Sequence, residues 1–183
     1  MDLSYDASVQ LQTDDLILRP LRYSDADGIF SNIANDREVL RYYIMNYAPV
    51  RSQFSLERTV DFFCSSKRYG FAIVEKSSGD VIGMIHQCSS ADEVFRTTEI
   101  GYALGKRYWN RGYMTQALNA VIEFLFSKGI HKIVCSHIVE NAASGRVMQK
   151  CGMLPEEGTR KEELFYNGRY CDLKVYYKIN PNE

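Results

Sequence analysis

Residues 108–118, YWNRGYMTQAL, place a cation and a glycine immediately before a helical pattern. A helix N-terminus leaves about four backbone N–H groups unpaired and carries a partial positive charge, so a phosphate there accepts several hydrogen bonds at once. Gly112 leaves room for a diphosphate to approach the backbone, and Arg111 adds a positive charge. The pattern predicts a phosphate site, and it is equally compatible with an ordinary strand–loop–helix connection that turns at a glycine.

The nature of the phosphate ligand is narrowed by two absent motifs and by the preceding strand. Neither the Walker sequence GxxxxGK[ST] nor the dinucleotide fingerprint GxGxxG occurs in the chain. Gly101 lies inside a strand predicted over residues 97–104, and a glycine there predicts a β-bulge. A bulge would separate this strand from the next parallel strand and leave backbone groups to pair with a peptide-like arm. A diphosphate joined to an amide-bearing arm describes coenzyme A.

Hydrophobic periodicity predicts a single α/β domain over residues 1–183. Strands are predicted at residues 16–21, 71–76, 81–87, 97–104, 132–139, 160–166 and 170–179. Helices are predicted from Ser24 to about Asn35, from Ser55 onward, from Gly112 to Gly129, and from Asn141 to Lys150. The Asn167-Gly168 pair predicts a tight hairpin between the last two strands. This order predicts a mixed sheet with helices on both faces.

Composition excludes several classes of partner. The net charge of −1 provides no electrostatic footprint for nucleic acid or an anionic membrane. No run of about 18 apolar residues occurs, and the acidic first residues lack the apolar core of a signal peptide. The five cysteines are odd in number and contain no CxxC pair, which favours reduced thiols in the cytoplasm. The three histidines have no metal-ligand spacing, so no metal is predicted.

Five segments, in this order and spacing, resemble the GCN5-related N-acetyltransferase (GNAT) superfamily, and most closely its RimJ/RimL-like group. They are LILRPLRYSDA (16–26), NDREVLRY (35–42), EIGYALGKRYWNRGYMTQAL (99–118), NAASGRVMQKCGM (141–153) and NGRYCD (167–172). The resemblance covers roughly residues 14–179 and implies the GNAT fold. That fold has a central twisted mixed sheet of about six to seven strands flanked by about four helices. The resemblance also implies an acyltransferase that uses acetyl-CoA as co-substrate, without a metal.

The resemblance implies a cofactor site around the long helix. The backbone amides expected to bind the pyrophosphate belong to Asn110, Arg111, Gly112, Tyr113, Met114 and Thr115. Tyr102 and Leu104 match the strand positions whose backbone pairs with pantetheine, and Asn141 matches a cofactor-binding Asn that also caps its helix. The chain departs from the family at Trp109, where Gln or Arg is usual, and at Met114, where a small residue is usual.

Acetyl transfer from a thioester requires a neutral amine, a stabilised oxyanion and a proton for the departing thiolate. Many members of the superfamily donate that proton from a Tyr whose position is Met148 here, and a methionine cannot donate. The resemblance to RimL-like enzymes makes Ser144 the candidate donor, within the cofactor site, and its alternative role is a small residue in a first helical turn. Direct attack in a ternary complex is favoured over a cysteine nucleophile, because no cysteine is flanked by a base-like pattern.

The general base has two candidates. Glu99 ranks first, because several family members carry a carboxylate on this strand, and Glu163 ranks second. Counting back from residues 167–172 places Leu164 at the family position of the second candidate, and one residue along a strand means the opposite face. Alternatively, a chain of water molecules removes the proton from the amine, and each glutamate is only a surface charge.

The acceptor amine is expected between a loop at residues 41–54 and the final hairpin. Aromatic residues expected there are Tyr42, Tyr43, Tyr47 and Tyr166, and their alternative role is to cover the core. His137 is expected either to face this cleft or to lie in the core. The walls suit a protein N-terminus, a polyamine or an antibiotic-like amine such as an aminoglycoside, in a monomer or a homodimer. The alternative function is a catalytically weak acyl-CoA-binding regulatory module.

Overall fold

The computed structural model describes residues 6, 8–43, 61, 68–88, 94 and 96–182. The helix predicted from Ser55 and most of the loop predicted at residues 41–54, including Tyr47, lie outside the described residues.

A nine-stranded mixed sheet forms the centre of the described chain. Its strands are β1 (Leu11–Gln12), β2 (Leu16–Pro20), β3 (Gly70–Glu75), β4 (Val81–Gln87), β5 (Thr97–Leu104), β6 (Lys132–Ile138), β7 (Leu154–Pro155), β8 (Arg160–Tyr166) and β9 (Arg169–Ile179). The order is β1-β2-β3-β4-β5-β6-β9-β7, with β8 also paired to β9. Seven of these strands were predicted from the sequence. The other two, β1 and β7, have two residues each, too few to show a hydrophobic period.

The parallel pair β5–β6 joins two antiparallel halves of the sheet. Only Thr97, Thr98 and Glu99 pair across it, with Lys132, Ile133 and Val134. Beyond Glu99, β5 stays paired with β4 as far as Leu104, while β6 stays paired with β9 as far as Ile138. The sheet therefore opens into a gap between the C-terminal halves of β5 and β6.

The predicted bulge at Gly101 is wrong, although the separation of the strands that it was meant to explain is present. The register between β4 and β5 continues without a shift from Gln87/Ile100 to Gly83/Leu104. Gly101 is required by crowding instead, since a Cβ there would lie 2.9 Å from Cys88 Sγ and 3.1 Å from His86 Cε1.

The described helices cover both faces of the sheet, as predicted. They are α1 (Ala26–Ile29), α2 (Arg37–Leu40), α3 (Tyr113–Ser127) and α4 (Ala142–Lys150), with a π-helical turn at Phe30–Ala34 after α1. The face of α3 predicted to be apolar is buried: Met114, Ala117, Leu118, Val121, Ile122 and Leu125. Strand residues alternate between the two cores, so Phe71 and Ile73 pack with α3 and α4, while Ala72 and Val74 pack with α1. No helix among the described residues is both long enough and apolar enough to cross a membrane.

Most of the predicted ends of elements are confirmed. Gly129 follows α3 with φ +88°, and the hairpin turn has φ +51° at Asn167 and φ +78° at Gly168. The prediction that Ser24 caps the first helix is wrong, because residues 23–25 form a 3₁₀ turn instead. Asp25 closes the start of this 3₁₀ turn: its carboxylate accepts the Arg22 N–H at 2.8 Å and a bidentate hydrogen bond from Arg19.

Asn180 fastens the C-terminal end of α3 to the end of β9. Its side chain is 3% exposed, and its amide nitrogen donates to the carbonyls of Phe126 at 3.3 Å and Ile130 at 3.2 Å. Replacement by Ala would leave buried carbonyls without this donor, at a cost of about 1–3 kcal/mol. We expect Asn180→Ala to lower the free energy of unfolding by that amount in urea titrations. The exposed Asn182→Ala is the control, expected to change it by less than about 0.5 kcal/mol.

Candidate active site

The gap between β5 and β6 widens into a cleft of about 900 Å³. The end of β5, the first turn of α3 and the first turns of α4 line one part of it, and α2 with Tyr42 and Tyr43 lines another. Because β5 and β6 diverge, residues that are distant in sequence line a single cleft.

The N-terminus of α3 has the geometry of an anion site. Gly112 adopts φ +79°, and a Cβ built on it would have no neighbour within 4 Å, so the space before the helix is open. The first helical hydrogen bond runs from Gln116 N to Gly112 O at 3.0 Å. The amides of Tyr113, Met114 and Thr115 precede that bond and have no partner along the helix. These groups can donate together to a diphosphate placed at the helix mouth.

Glu75, at the end of β3, holds the loop that precedes α3. Its carboxylate accepts hydrogen bonds from Tyr113 Oη at 2.8 Å and Ser78 Oγ at 2.9 Å, and Arg111 Nη1 lies 3.7 Å away. The hydrogen bond from Tyr113 is the main cause that lowers the pKa of Glu75, so the carboxylate stays charged. Arg111 is therefore held beside the loop that precedes α3. Its side chain is half-exposed and does not line the cleft.

The outer edge of β5 offers backbone groups to the gap. Glu99 O accepts from Cys88 N and Gly105 N donates to Ile82 O, so alternate residues of β5 direct their backbone towards β4. The backbone of Tyr102 and Leu104 consequently faces the gap. The Leu104 carbonyl already accepts the indole N–H of Trp109 at 2.7 Å, which leaves Tyr102 as the freer of the two predicted pairing positions.

Two hydroxyl groups meet where α4 begins above β5. Asn141 caps α4 as predicted, accepting the Ser144 N–H at 3.4 Å. Ser144 Oγ lies 2.8 Å from Tyr102 Oη, which is also 3.2 Å from the Ser144 carbonyl. Burial raises the pKa of the Tyr102 phenol, so it remains protonated. Met148 is 1% exposed and belongs to the core beneath α4, away from the cleft.

The opposite face of β5 carries a carboxylate beside the gap. Glu99 Oε1 accepts a hydrogen bond from Ser136 Oγ of β6 at 2.7 Å, just where the pairing of the two strands ends. Glu99 and Tyr102 are an odd number of residues apart, so they point to opposite faces of the strand.

His86 and Tyr43 lie near Glu99. His86 Nε2 is 3.2 Å from Tyr43 Oη, and Nδ1 is 3.9 Å from Cys88 Sγ. Burial lowers the pKa of His86 to about 4, so the ring is neutral. A neutral imidazole does not supply the cation that stabilises a thiolate, which argues against Cys88 as an activated nucleophile.

Comparison with known proteins decides the family. An acetyltransferase (GNAT) domain model matches residues 15–154. The chain is 31% identical over 176 residues to the uncharacterized N-acetyltransferase YoaA of Bacillus subtilis, covering 94% of this chain and 98% of that protein. This protein belongs to the GNAT acetyltransferases.

Two further relatives have named substrates or ligands. The [ribosomal protein uS5]-alanine N-acetyltransferase of Escherichia coli is 24% identical over 184 residues, covering 95% of this chain and 92% of that protein. A spermidine N-acetyltransferase from Vibrio cholerae, solved with CoA and spermine, is 25% identical with a TM-score of 0.79, covering 92% of this chain and 97% of that chain. GNAT acetyltransferases use acetyl-CoA as the acetyl donor, and the described residues contain no His, Cys, Asp and Glu cluster suited to a metal.

In this GNAT protein, most of the predicted cofactor residues meet at the cleft. Tyr102, Leu104, Asn110, Gly112, Tyr113, Met114, Thr115, Asn141 and Ser144 all line it, as do Glu99, Tyr42, Tyr43 and His137. Two residues that were not predicted, Arg146 and Lys150, also line the cleft, one helical turn apart on α4. A helical projection of α4 would have placed these two residues on one face of the helix that Asn141 caps.

Two further predicted positions lie outside the lining of the cleft. Glu163 is half-exposed, lies 3.8 Å from Arg160 and does not line the cleft, whereas its neighbour Leu164 does. The alternation of β8 explains this, because adjacent residues point to opposite faces. Tyr166 does not line the cleft either: its hydroxyl donates to the carbonyls of Leu40 and of Tyr43, the latter at 3.1 Å. It holds the segment that carries Tyr42 and Tyr43.

His137 lines the cleft from beneath α4. It is 5% exposed, stacks on Tyr176 and shares a 2.8 Å hydrogen bond between Nδ1 and the Ile138 carbonyl. A Cβ on Gly145 would lie 2.7 Å from His137 Nε2, so α4 rests directly on the ring. This packing favours the core alternative for His137, which positions the helix that carries Ser144.

The neutral state of His86 predicts a pH dependence of stability. Its pKa is about 4 in the folded protein and near 6.5 in an unfolded chain. Between these values the unfolded state binds one more proton, so this contribution is complete above pH 6.5 and is lost as the pH falls towards 4. Relative to His86→Gln, we expect the wild-type protein to lose up to about 1.4 kcal/mol more per pH unit in that window. Urea unfolding at a series of pH values measures this, and parallel curves below pH 6.5 would contradict it.

Proposed function

We propose that this acetyltransferase moves the acetyl group of acetyl-CoA directly to a primary amine while both are bound. The observation that carries the proposal is the gap after Glu99, with a carboxylate on one face of β5 and a pair of hydroxyls on the other. An amine and a thioester that approach from the two faces would meet there without a covalent enzyme intermediate.

The groups proposed to bind acetyl-CoA lie along one side of the gap. The first-turn amides of α3 and the open space at Gly112 fit the diphosphate, with Arg111 at the rim. The backbone of Tyr102 fits the amide-bearing arm, which would pair with it as an added strand. Asn141 has a donor end left for the cofactor, because its oxygen is the end that caps α4.

Glu99 is the proposed general base. An amine enters as an ammonium, which has no lone pair, and a carboxylate at the gap can accept its proton directly or through one water molecule. The hydrogen bond from Ser136 Oγ to Glu99 Oε1 fixes the carboxylate beside the gap, where it can reach the amine. Glu163 is not proposed for this role, because it lies outside the cleft.

Ser144 is the proposed proton donor to the departing sulfur. Its side chain lines the cleft at the first turn of α4, above the face of β5 that carries the Tyr102 side chain. Met148 is buried in the core and has no proton to give, so a hydroxyl must come from another position.

The acceptor is proposed to be a protein N-terminus or a small primary amine. One relative is named for an alanine of ribosomal protein uS5 and another for spermidine, and both substrates present a primary amine. On the acceptor side of this chain, Tyr42 packs against Ile138 and Leu173, and Arg41 lies 5.0 Å above its ring. This wall is aromatic and carries a cation, which favours acceptors that bear a single amine over extended polycations.

The phosphate loop can be tested with a built-in reporter. Trp109 is the only tryptophan of the chain and lines the cleft, so its fluorescence should change as acetyl-CoA binds. We expect Gly112→Val to weaken acetyl-CoA binding at least about 10-fold, because a branched side chain occupies the approach of the diphosphate. Gly158→Val is the matched control, since Gly158 has φ +81° and equally open surroundings outside the cleft. Equal loss of binding in both variants would show backbone strain rather than a phosphate site.

The reaction itself is tested by mass spectrometry of products formed from acetyl-CoA and a panel of amines. The panel contains peptides with different N-termini, spermidine and an aminoglycoside. With the best acceptor, we expect Glu99→Gln to lower kcat by roughly 10²–10⁴-fold and to flatten its pH profile, because the base is lost. Glu163→Gln is measured beside it. A larger loss in Glu163→Gln than in Glu99→Gln would reverse the assignment, and cofactor binding without any acetylated product would favour a regulatory module.

A further inference from the structure

We infer that Tyr102 is a positioning residue for acetyl transfer: its side-chain hydroxyl donates to Ser144 Oγ and so directs the Ser144 proton into the cleft. This inference deepens the proposed function and rests on the role proposed there for Ser144. The resemblance to the GNAT family implies a role only for the backbone of Tyr102, in pairing with the cofactor arm. The side chain of Tyr102 has a separate role here.

The geometry favours Ser144 Oγ as the acceptor of the Tyr102 proton. The distance between the two hydroxyl oxygens is 2.8 Å, the usual length of an O–H···O bond, against 3.2 Å to the Ser144 carbonyl. That carbonyl lies inside α4, where an N–H one turn later is its regular partner. The side-chain oxygen is thus the closer and less occupied acceptor.

A serine hydroxyl has one donor and two acceptor sites. When Tyr102 fills one acceptor site, the Ser144 proton cannot also lie on the line between the two oxygens. It has to point elsewhere, and Ser144 lines the cleft. Burial raises the pKa of the Tyr102 phenol, so the phenol keeps the proton that it donates in this bond.

The transfer step balances with these groups. The bond between the amine nitrogen and the acetyl carbon forms, the carbon–sulfur bond breaks, and its electron pair goes to sulfur. The proton of Ser144 moves to sulfur, and the surplus proton of the amine, taken up by Glu99 and passed to water, balances the proton that Ser144 recovers from water. Donation by Tyr102 stabilises the negative charge that builds on Ser144 Oγ during this exchange.

The position of Tyr102 on β5 explains why the phenol can serve a site on α4. The strand carries the ring under the first turn of the helix, where partly buried Tyr102 packs against the core formed with Met148 and Cys151. The hydroxyl pair therefore bridges the sheet and the helix on one side of the gap, and the phenol is fixed by the sheet rather than by a loop.

The test is a double-mutant cycle with Tyr102→Phe, Ser144→Ala and the combined variant. We expect Tyr102→Phe to lower kcat roughly 3–10-fold, the effect of one hydrogen bond. Ser144→Ala should lower it roughly 10–10³-fold. The combined variant should match Ser144→Ala within about twofold, because Tyr102 acts only through Ser144. The Kd for acetyl-CoA, from Trp109 fluorescence, and the Tm should stay close to wild type in all three.

Tyr176→Phe is the matched control. The Tyr176 hydroxyl also bonds to α4, accepting from Gln149 Nε2 at 3.4 Å, but it does not line the cleft. Loss of this hydroxyl should leave kcat within about twofold.

Four results would overturn the inference. Multiplicative losses in the combined variant would show that Tyr102 acts independently of Ser144. A fall in Tm or in acetyl-CoA affinity that accounts for the loss of kcat in Tyr102→Phe would reduce Tyr102 to a structural role. An unchanged kcat in Tyr102→Phe beside a lowered kcat in Ser144→Ala would remove Tyr102 and leave the proposed donor intact. If Ser144→Ala itself keeps full activity, the proposed donor fails, and the inference fails with it.

Discussion

The pairing of β5 with β6 stops after three residue pairs, and the cleft exists because of that interruption. Each strand keeps its other neighbour, so β5 follows β4 and β6 follows β9 as the two halves of the sheet separate. Unpaired backbone is costly when buried. An open edge in the middle of a sheet is therefore stable only where solvent or a ligand can reach it, and the edge of β5 meets that condition.

At this interruption, the group proposed to accept a proton and the groups proposed to donate one lie on opposite faces of β5. Side chains alternate along β5, so Glu99 faces the side of α2 and Tyr43 while Tyr102 faces α4. In the proposed reaction, Glu99 takes the proton of the amine on one side of the strand, and the sulfur receives the proton of Ser144 on the other.

The regular elements of the fold could be predicted because their signals are local. The period of α3, the cap at Asn141 and the turn at residues 167–168 each depend on neighbours in sequence. The predicted cofactor positions on α3 and β5 also met at the cleft, because their segments were recognised together by order and spacing. The errors came from long-range crowding: Gly101 suggested a bulge but is glycine because His86 and Cys88 lie against it.

Long-range packing also decides the roles that the sequence left open at the site. Nothing in the neighbourhood of His137 says that α4 will rest on its ring, or that Tyr166 will bond the backbone of residues 40 and 43. Whether a strand residue faces ligand or core depends on the element packed over it, which one strand cannot report. Glu163 lies outside the cleft for a different reason: a displacement of one residue in β8 exchanges it with Leu164, the residue that counting back from residues 167–172 had indicated.

Gly145 shows how closely the packing of α4 on His137 constrains the site. In most helices Ala in place of Gly would add up to about 1 kcal/mol of stability. At position 145 the added carbon would instead lie 2.7 Å from His137 Nε2, and the helix carrying Asn141 and Ser144 would have to lift. His137 is itself fixed by Tyr176 and by the Ile138 carbonyl, so the ring cannot retreat. A contact between a glycine and a buried histidine therefore supports the helix turn that brings Ser144 Oγ to 2.8 Å from Tyr102 Oη.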